Sequence, residues 1–154
     1  MSAVNDAAAL QTLIAKDCIT QVLIRYCDAA DSADEALLRS VFHADGSDEH
    51  AGMFAGKIDE LAPMMVKMHE RFTLTQHSID NIAIEVDGDV AHSRCRITAH
   101  HRYEVDGQAY HLIAGGRYID RFEKRAGEWR IAHRLTYMDW TLTHRVEDGL
   151  PSPF

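Results

Sequence analysis

Near Thr73 the spacing of apolar residues changes from the roughly 3.6-residue repeat of a helix to the two-residue repeat of a strand, and it does not change back. A chain with helices first and strands afterwards cannot alternate them into a parallel βαβ sheet. It must segregate them, with helices packed on a sheet of sequential hairpins.

Upstream, Ile14, Cys18, Val22, Tyr26 and Ala30 form one stripe, with Ile19, Leu23 and Cys27 beside it, predicting a helix over 7–31 that could break at Lys16-Asp17. Ser32 and Glu35 have the S-x-x-E spacing of a capping box, so a second helix is expected over 34–42 with Leu37, Leu38, Val41 and Phe42 inward. The polar, glycine-punctuated stretch Gly46–Gly56 reads as a loop with one brief strand. Asp59-Glu60 in a first turn and Pro63 just inside predict a third helix facing inward with Leu61, Met64, Met65, Met68 and Phe72. Its methionines are read as core filling.

Downstream, Ile82, Ile84 and Val86 alternate up to the turn Asp87-Gly88-Asp89. Ala91, Cys95, Ile97, Ala99 and Tyr103 then alternate with His92, Arg94, Arg96 and Arg102 up to Asp106-Gly107. A long strand over 109–123 carries Gly115-Gly116, the mark of a bulge, and a last strand runs through Trp129, Ile131, Leu135, Tyr137 and Trp140. The expected fold is α+β, a cone-shaped roll with three N-terminal helices packed on a strongly curved, mainly antiparallel sheet. Apolar residues on both faces of the last strand, Met138, Trp140 and Leu142 opposite Trp129 and Ile131, lead us to expect a second copy over one face, in a homodimer or homotrimer.

The 154 residues suit one domain over 1–154, with its core about 10–142 and a flexible tail at 146–154 whose Phe154 is a candidate lid. A net charge of −8 argues against a nucleic-acid partner. The N-terminus MSAVNDAAAL has no basic region ahead of an apolar one, and no run approaching ~18 apolar residues is evident, so no membrane association and a cytoplasmic location are expected. Cys18, Cys27 and Cys95 are read as reduced core residues. His43, Asp45, Asp48, Glu49 and His50 are metal-ligand types without a metal-binding spacing and read as a solvated acidic loop, so no metal site is expected.

Asp31 stands at the C-terminus of the first helix, where the helix dipole disfavours a carboxylate. The segments RYCDAADSAD, TQHSIDN and GRYIDRFEKRAGEWRIAHR resemble the SnoaL-like branch of the nuclear transport factor 2 superfamily, near scytalone dehydratase, bile-acid 7α-dehydratase and hexachlorocyclohexane dehydrochlorinase. The resemblance implies that Asp31 and His77 form an Asp-His dyad, that Tyr26 is an active-site tyrosine and that Arg134 is a functional arginine contacting substrate. Tyr26 stands where the dehydrochlorinase has a lysine, and Ala30 where scytalone dehydratase has a tyrosine.

For a second histidine the resemblance points to His100, whereas counting from Ile97 and Ala99 turns His101 inward. The same counting puts Arg134 opposite Trp129 and Ile131 unless the strand is bulged. An imidazole oriented by a carboxylate can take a proton from carbon near neutral pH. The expected function is therefore a cofactor-independent lyase or isomerase, dehydratase-like, acting on a small cyclic apolar ligand. The alternative is a non-catalytic binding or oligomerisation module, such as a partner subunit like the small subunit of ring-hydroxylating oxygenases.

Overall fold

The computed structural model describes residues 3–146, so most of the expected tail, 147–154 with Phe154, lies outside the described residues. Three helices, α1 (Ala3–Ser32), α2 (Glu35–Val41) and α3 (Ile58–His69), pack on six strands: β1 (Phe42–His50), β2 (Phe54–Lys57), β3 (Leu74–Asp87), β4 (Val90–Val105), β5 (Gln108–Arg125) and β6 (Glu128–Arg145). The curved sheet has the order β2-β1-β6-β5-β4-β3 and does not close. Only the β1–β6 pair is parallel. This is the expected α+β architecture.

α1 runs unbroken through Lys16-Asp17. Its buried face holds Ala15, Ile19, Val22, Leu23, Tyr26, Cys27 and Ala29, while Ile14 and Cys18 face outward, so Cys18 is not a core cysteine. The reason is geometric. Each step of four residues overshoots a full turn by about 40°, so a stripe drawn in fours winds off the face that Tyr26 occupies. By length and composition Asp6–Ser32 could cross a bilayer, which the sequence reading did not anticipate. In the fold, its Ile19, Val22 and Leu23 belong instead to the common core.

The S-x-x-E pair does not start α2. Ser32 Oγ donates to the Asp28 carbonyl at 2.7 Å and so finishes α1, Ala33 turns the chain at φ +53°, and Asp34 caps α2 by accepting from the Leu37 N–H at 2.9 Å. α3 starts at Ile58, which places Pro63 in its interior rather than its first turn. The Pro63 ring has no N–H to give the Asp59 carbonyl. Arg39 Nη2 reaches that carbonyl at 3.5 Å.

The segment expected to be a loop is a hairpin. β1 and β2 pair across Ala51-Gly52, which take φ of +48° and +74°, and β1 also pairs with β6. Pairing on both sides makes this polar sequence a strand against its own propensity. The solvated-loop reading is overturned with it, since Asp48 is fully buried and His43, also buried, bonds the Glu123 carbonyl through Nε2 at 2.8 Å.

β6 carries two bulges. Phe122 pairs with Ile131 but Arg121 with His133, so Ala132 is an extra residue. Burial accordingly passes from Trp129 and Ile131 to Arg134 and Thr136. At the expected bulge, Gly115 pairs with Trp140 and Gly116 with Met138, leaving Asp139 unpaired. The Trp140 indole lies where a Cβ on Gly115 would stand, which is why a glycine is needed there. Tyr137, Met138, Trp140 and Leu142 are exposed.

Candidate active site

The last turn of α1 presses Asp31 against the start of β3. Its Oδ1 lies 2.6 Å from His77 Nδ1, and its Oδ2 accepts the His77 backbone N–H at 2.8 Å. Its carbonyl accepts from Thr75 Oγ1 at 3.4 Å and is 3.0 Å from His69 Nε2. These contacts answer the misfit of a carboxylate at a helix C-terminus. Burial works to raise the Asp31 carboxyl, but the bonds from the His77 ring and backbone, with the charge of that ring, outweigh it and hold the carboxyl below its usual range. A carboxylate can only accept, so Nδ1 of His77 carries the proton and Nε2 is the nitrogen left basic.

His77 lines a cavity of about 90 Å³ with Tyr26, His101 and Tyr118, closed by Met64, Met65 and Met68 of α3 and by Phe72. The three methionines are therefore a wall of the cavity rather than plain core filling. His101 faces inward, its ring 5.4 Å from that of His77 and 4.6 Å from Phe72. His100 instead reaches His111, Nδ1 to Nε2 at 3.0 Å. Strand alternation thus decides between the two histidines against the resemblance. Burial, with the nearby His77, pulls His101 down to about 4, so its ring is neutral at pH 7.

The Tyr26 side chain is 1% exposed, and its hydroxyl has only the Met65 sulfur as a partner, at 3.8 Å. Burial and the charge of Asp48 push this phenol well above its usual range. It holds its proton and can donate a hydrogen bond, but it is a poor source of a transferred proton at neutral pH. A thioether is a weak acceptor, so a ligand oxygen would compete for that bond successfully.

Residues 11–135 match the model of the SnoaL-like domain. The chain belongs to the SnoaL-like family. No match is found among curated proteins. Among solved structures, a scytalone dehydratase-like protein from Novosphingobium aromaticivorans is 23% identical, over 93% of this chain and 96% of its own, with a TM-score of 0.77. The hexachlorocyclohexane dehydrochlorinase LinA type 2 is 17% identical, over 95% and 99%, with a TM-score of 0.82. An aromatic ring hydroxylase-like protein from N. aromaticivorans is 18% identical, over 84% and 91%, with a TM-score of 0.72. At these identities the likeness shows a shared fold.

In this SnoaL-like chain Arg134 does not line the cavity. The Ala132 bulge turns it inward, but beneath the floor. It is fully buried, grips Asp120 with Nε–Oδ1 at 2.6 Å and Nη2–Oδ2 at 2.9 Å, and lies 4.0 Å from the ring centres of both Tyr26 and Tyr118. Substrate contact by Arg134 is corrected to support of the two tyrosines that touch the cavity. Sequence reasoning missed His50, which lines the same cavity, and Asp48 behind it. Their segment carried no strand signal, so no alternation could be counted there. Tyr118 was also missed, although it shares a face of β5 with Phe122, opposite Arg117 and Arg121, and that alternation would have turned it inward.

Proposed function

We propose that this protein is a cofactor-independent lyase or isomerase that takes a proton from carbon in a small cyclic, mainly apolar substrate. The observation that carries this is the 2.6 Å contact between Asp31 and His77, with the imidazole forming part of the lining of a largely apolar cavity. His77 Nε2 is the base. Asp31 fixes its tautomer and stabilises the imidazolium that forms. Tyr26 donates a hydrogen bond to the substrate oxygen on which charge develops, and neutral His101 is a second polar contact. The solved relatives described as dehydratase-like and dehydrochlorinase support an elimination, in which the C–H electron pair becomes the C=C bond and the leaving group departs with its own bonding pair.

The cavity of about 90 Å³ is smaller than the ~150 Å³ that holds one benzene ring. A cyclic substrate must therefore displace the methionines, whose unbranched side chains allow it. The test is a screen of hydroxylated and halogenated cyclic compounds, repeated with His77→Ala and with a chelator. His77→Ala should fold normally and lose about 10²- to 10⁴-fold in rate. The chelator should change nothing. Full activity in the variant, or loss with chelator, would overturn this mechanism, and a wild type that turns over none of the compounds would put the binding-module reading ahead.

A further inference from the structure

An elimination that expels hydroxide needs a group to protonate the departing oxygen as well as a base for the C–H bond. Neither Tyr26, held far above its usual range, nor His101, held neutral, supplies a transferable proton at pH 7. His69 Nε2 is already engaged with the Asp31 carbonyl. The remaining histidine of the lining is His50, the last residue of β1.

Two residues before it, on the same face of β1, Asp48 is 0% exposed and neither of its oxygens has a hydrogen-bond partner. Its Oδ2 lies 3.5 Å from His50 Nδ1, a nitrogen that is buried and otherwise unpartnered. This leaves Nε2 as the His50 nitrogen for the cavity. On the neighbouring strand Asp48 pairs in register with Arg134, and His50 with Thr136. Arg134 is already committed to Asp120 through two nitrogens.

An ionised Asp48 would set two buried carboxylates, Asp48 and Asp120, against one guanidinium. A fully buried carboxylate is costly unless a cation or hydrogen bonds answer it. Protonated His50 would restore the balance. A spacing of 3.5 Å is longer than a formed hydrogen bond, but contacts of catalytic groups commonly tighten when substrate binds.

We infer that His50, positioned by Asp48, is the proton donor to the leaving oxygen, so that the substrate is a cyclic β-hydroxy carbonyl compound. This rests on the function proposed above. His77 Nε2 takes the proton from the carbon beside the carbonyl, and the C–H electron pair becomes the new C=C bond. The C–O bond breaks with its electron pair on oxygen, which takes the His50 proton and leaves as water. His77 ends cationic and His50 neutral, and exchange with solvent restores both.

The test uses 3-hydroxycyclohexanone for elimination and cyclohexanone, which has no leaving group, for exchange of its ring hydrogens in D₂O. Wild type should catalyse both, and His77→Ala neither. His50→Gln should keep the exchange rate within about 3-fold and lose about 10²-fold or more in elimination, the loss expected for a missing general acid. Asp48→Asn should show the same split, and the ¹⁵N shifts of His50 at pH 7 should move from cationic in wild type to neutral in that variant, a change that a packing role would not produce. Elimination unchanged in His50→Gln, equal loss of both reactions in folded His50→Gln and Asp48→Asn, or a neutral His50 in wild type would overturn the donor role while leaving His77 as base. A wild type that catalyses neither reaction would overturn both proposals.

Discussion

Asp31–His77 and Asp120–Arg134 both join a carboxylate to a nitrogen-bearing side chain at a closest approach of 2.6 Å, yet they differ in what they leave free. The first pair is partly open, with side chains 27% and 14% exposed, and one imidazole nitrogen remains for a ligand. The second is shut off completely, at 0% for both, and spends two of its three guanidinium nitrogens on Asp120. An equally short contact to a carboxylate can therefore be a working part or a strut. What decides is whether any polar atom of it still faces the cavity.

The contrast can be broken most forcefully at the closed pair. Arg134→Met leaves Asp120 buried without its cation and should cost about 3–5 kcal/mol, read by urea unfolding at pH 7. Adding Asp120→Leu should recover most of that loss, because two apolar side chains can replace a buried pair. A double variant as unstable as the single one would mean that Arg134 matters chiefly for its stacking on Tyr26 and Tyr118.

At the open pair a smaller effect is expected. Asp31→Asn weakens two bonds to His77 and should cost ~1.5–3 kcal/mol at pH 7. The folded Asp31 carboxyl lies below its usual range, so its contribution is complete above the unfolded value of about 3.9 and is lost as pH falls through the lower folded value. Wild type and Asp31→Asn should converge in stability as pH falls below the unfolded value of about 3.9. A constant difference across that window would show that charge is not what holds the dyad.

A further effect, read as a slope against pH, belongs to His101. Its folded value of about 4 is below the unfolded ~6.5, so its contribution is complete above ~6.5 and drains away as pH falls towards 4. Replacing it as His101→Phe should flatten the stability profile between those pH values and leave the steeper loss below them. If the profile keeps its slope, another group titrates in that window.

The change of period at Thr73 was enough for the architecture, since helices and strands differ in where apolar residues must recur. Alternation from Ile97 and Ala99 was also enough to turn His101 inward, because the β4 stretch from there to His101 pairs without a bulge. The approach of His77 to Asp31 was reached only through the resemblance, since no local spacing links residues so far apart in the chain. Two features could not be read. A bulge at Ala132 has no glycine to announce it, so Arg134 was counted to the wrong face. β1 is a strand because β6 and β2 flank it, and pairing partners are invisible in a polar segment taken alone. His50 was hidden for that reason.

The extra residue at Ala132 works as a frameshift in the inside-outside code of β6. Downstream of it every side chain is read in the other phase, so pulling the strand straight with Ala132 kept would expel Arg134 and Thr136 from the interior and bring in His133 and Leu135, whereas deleting Ala132 should leave Arg134 and Thr136 inside with their partners on β5 unchanged. The one residue that this stretch of β6 can lose without a change of phase is therefore the extra one.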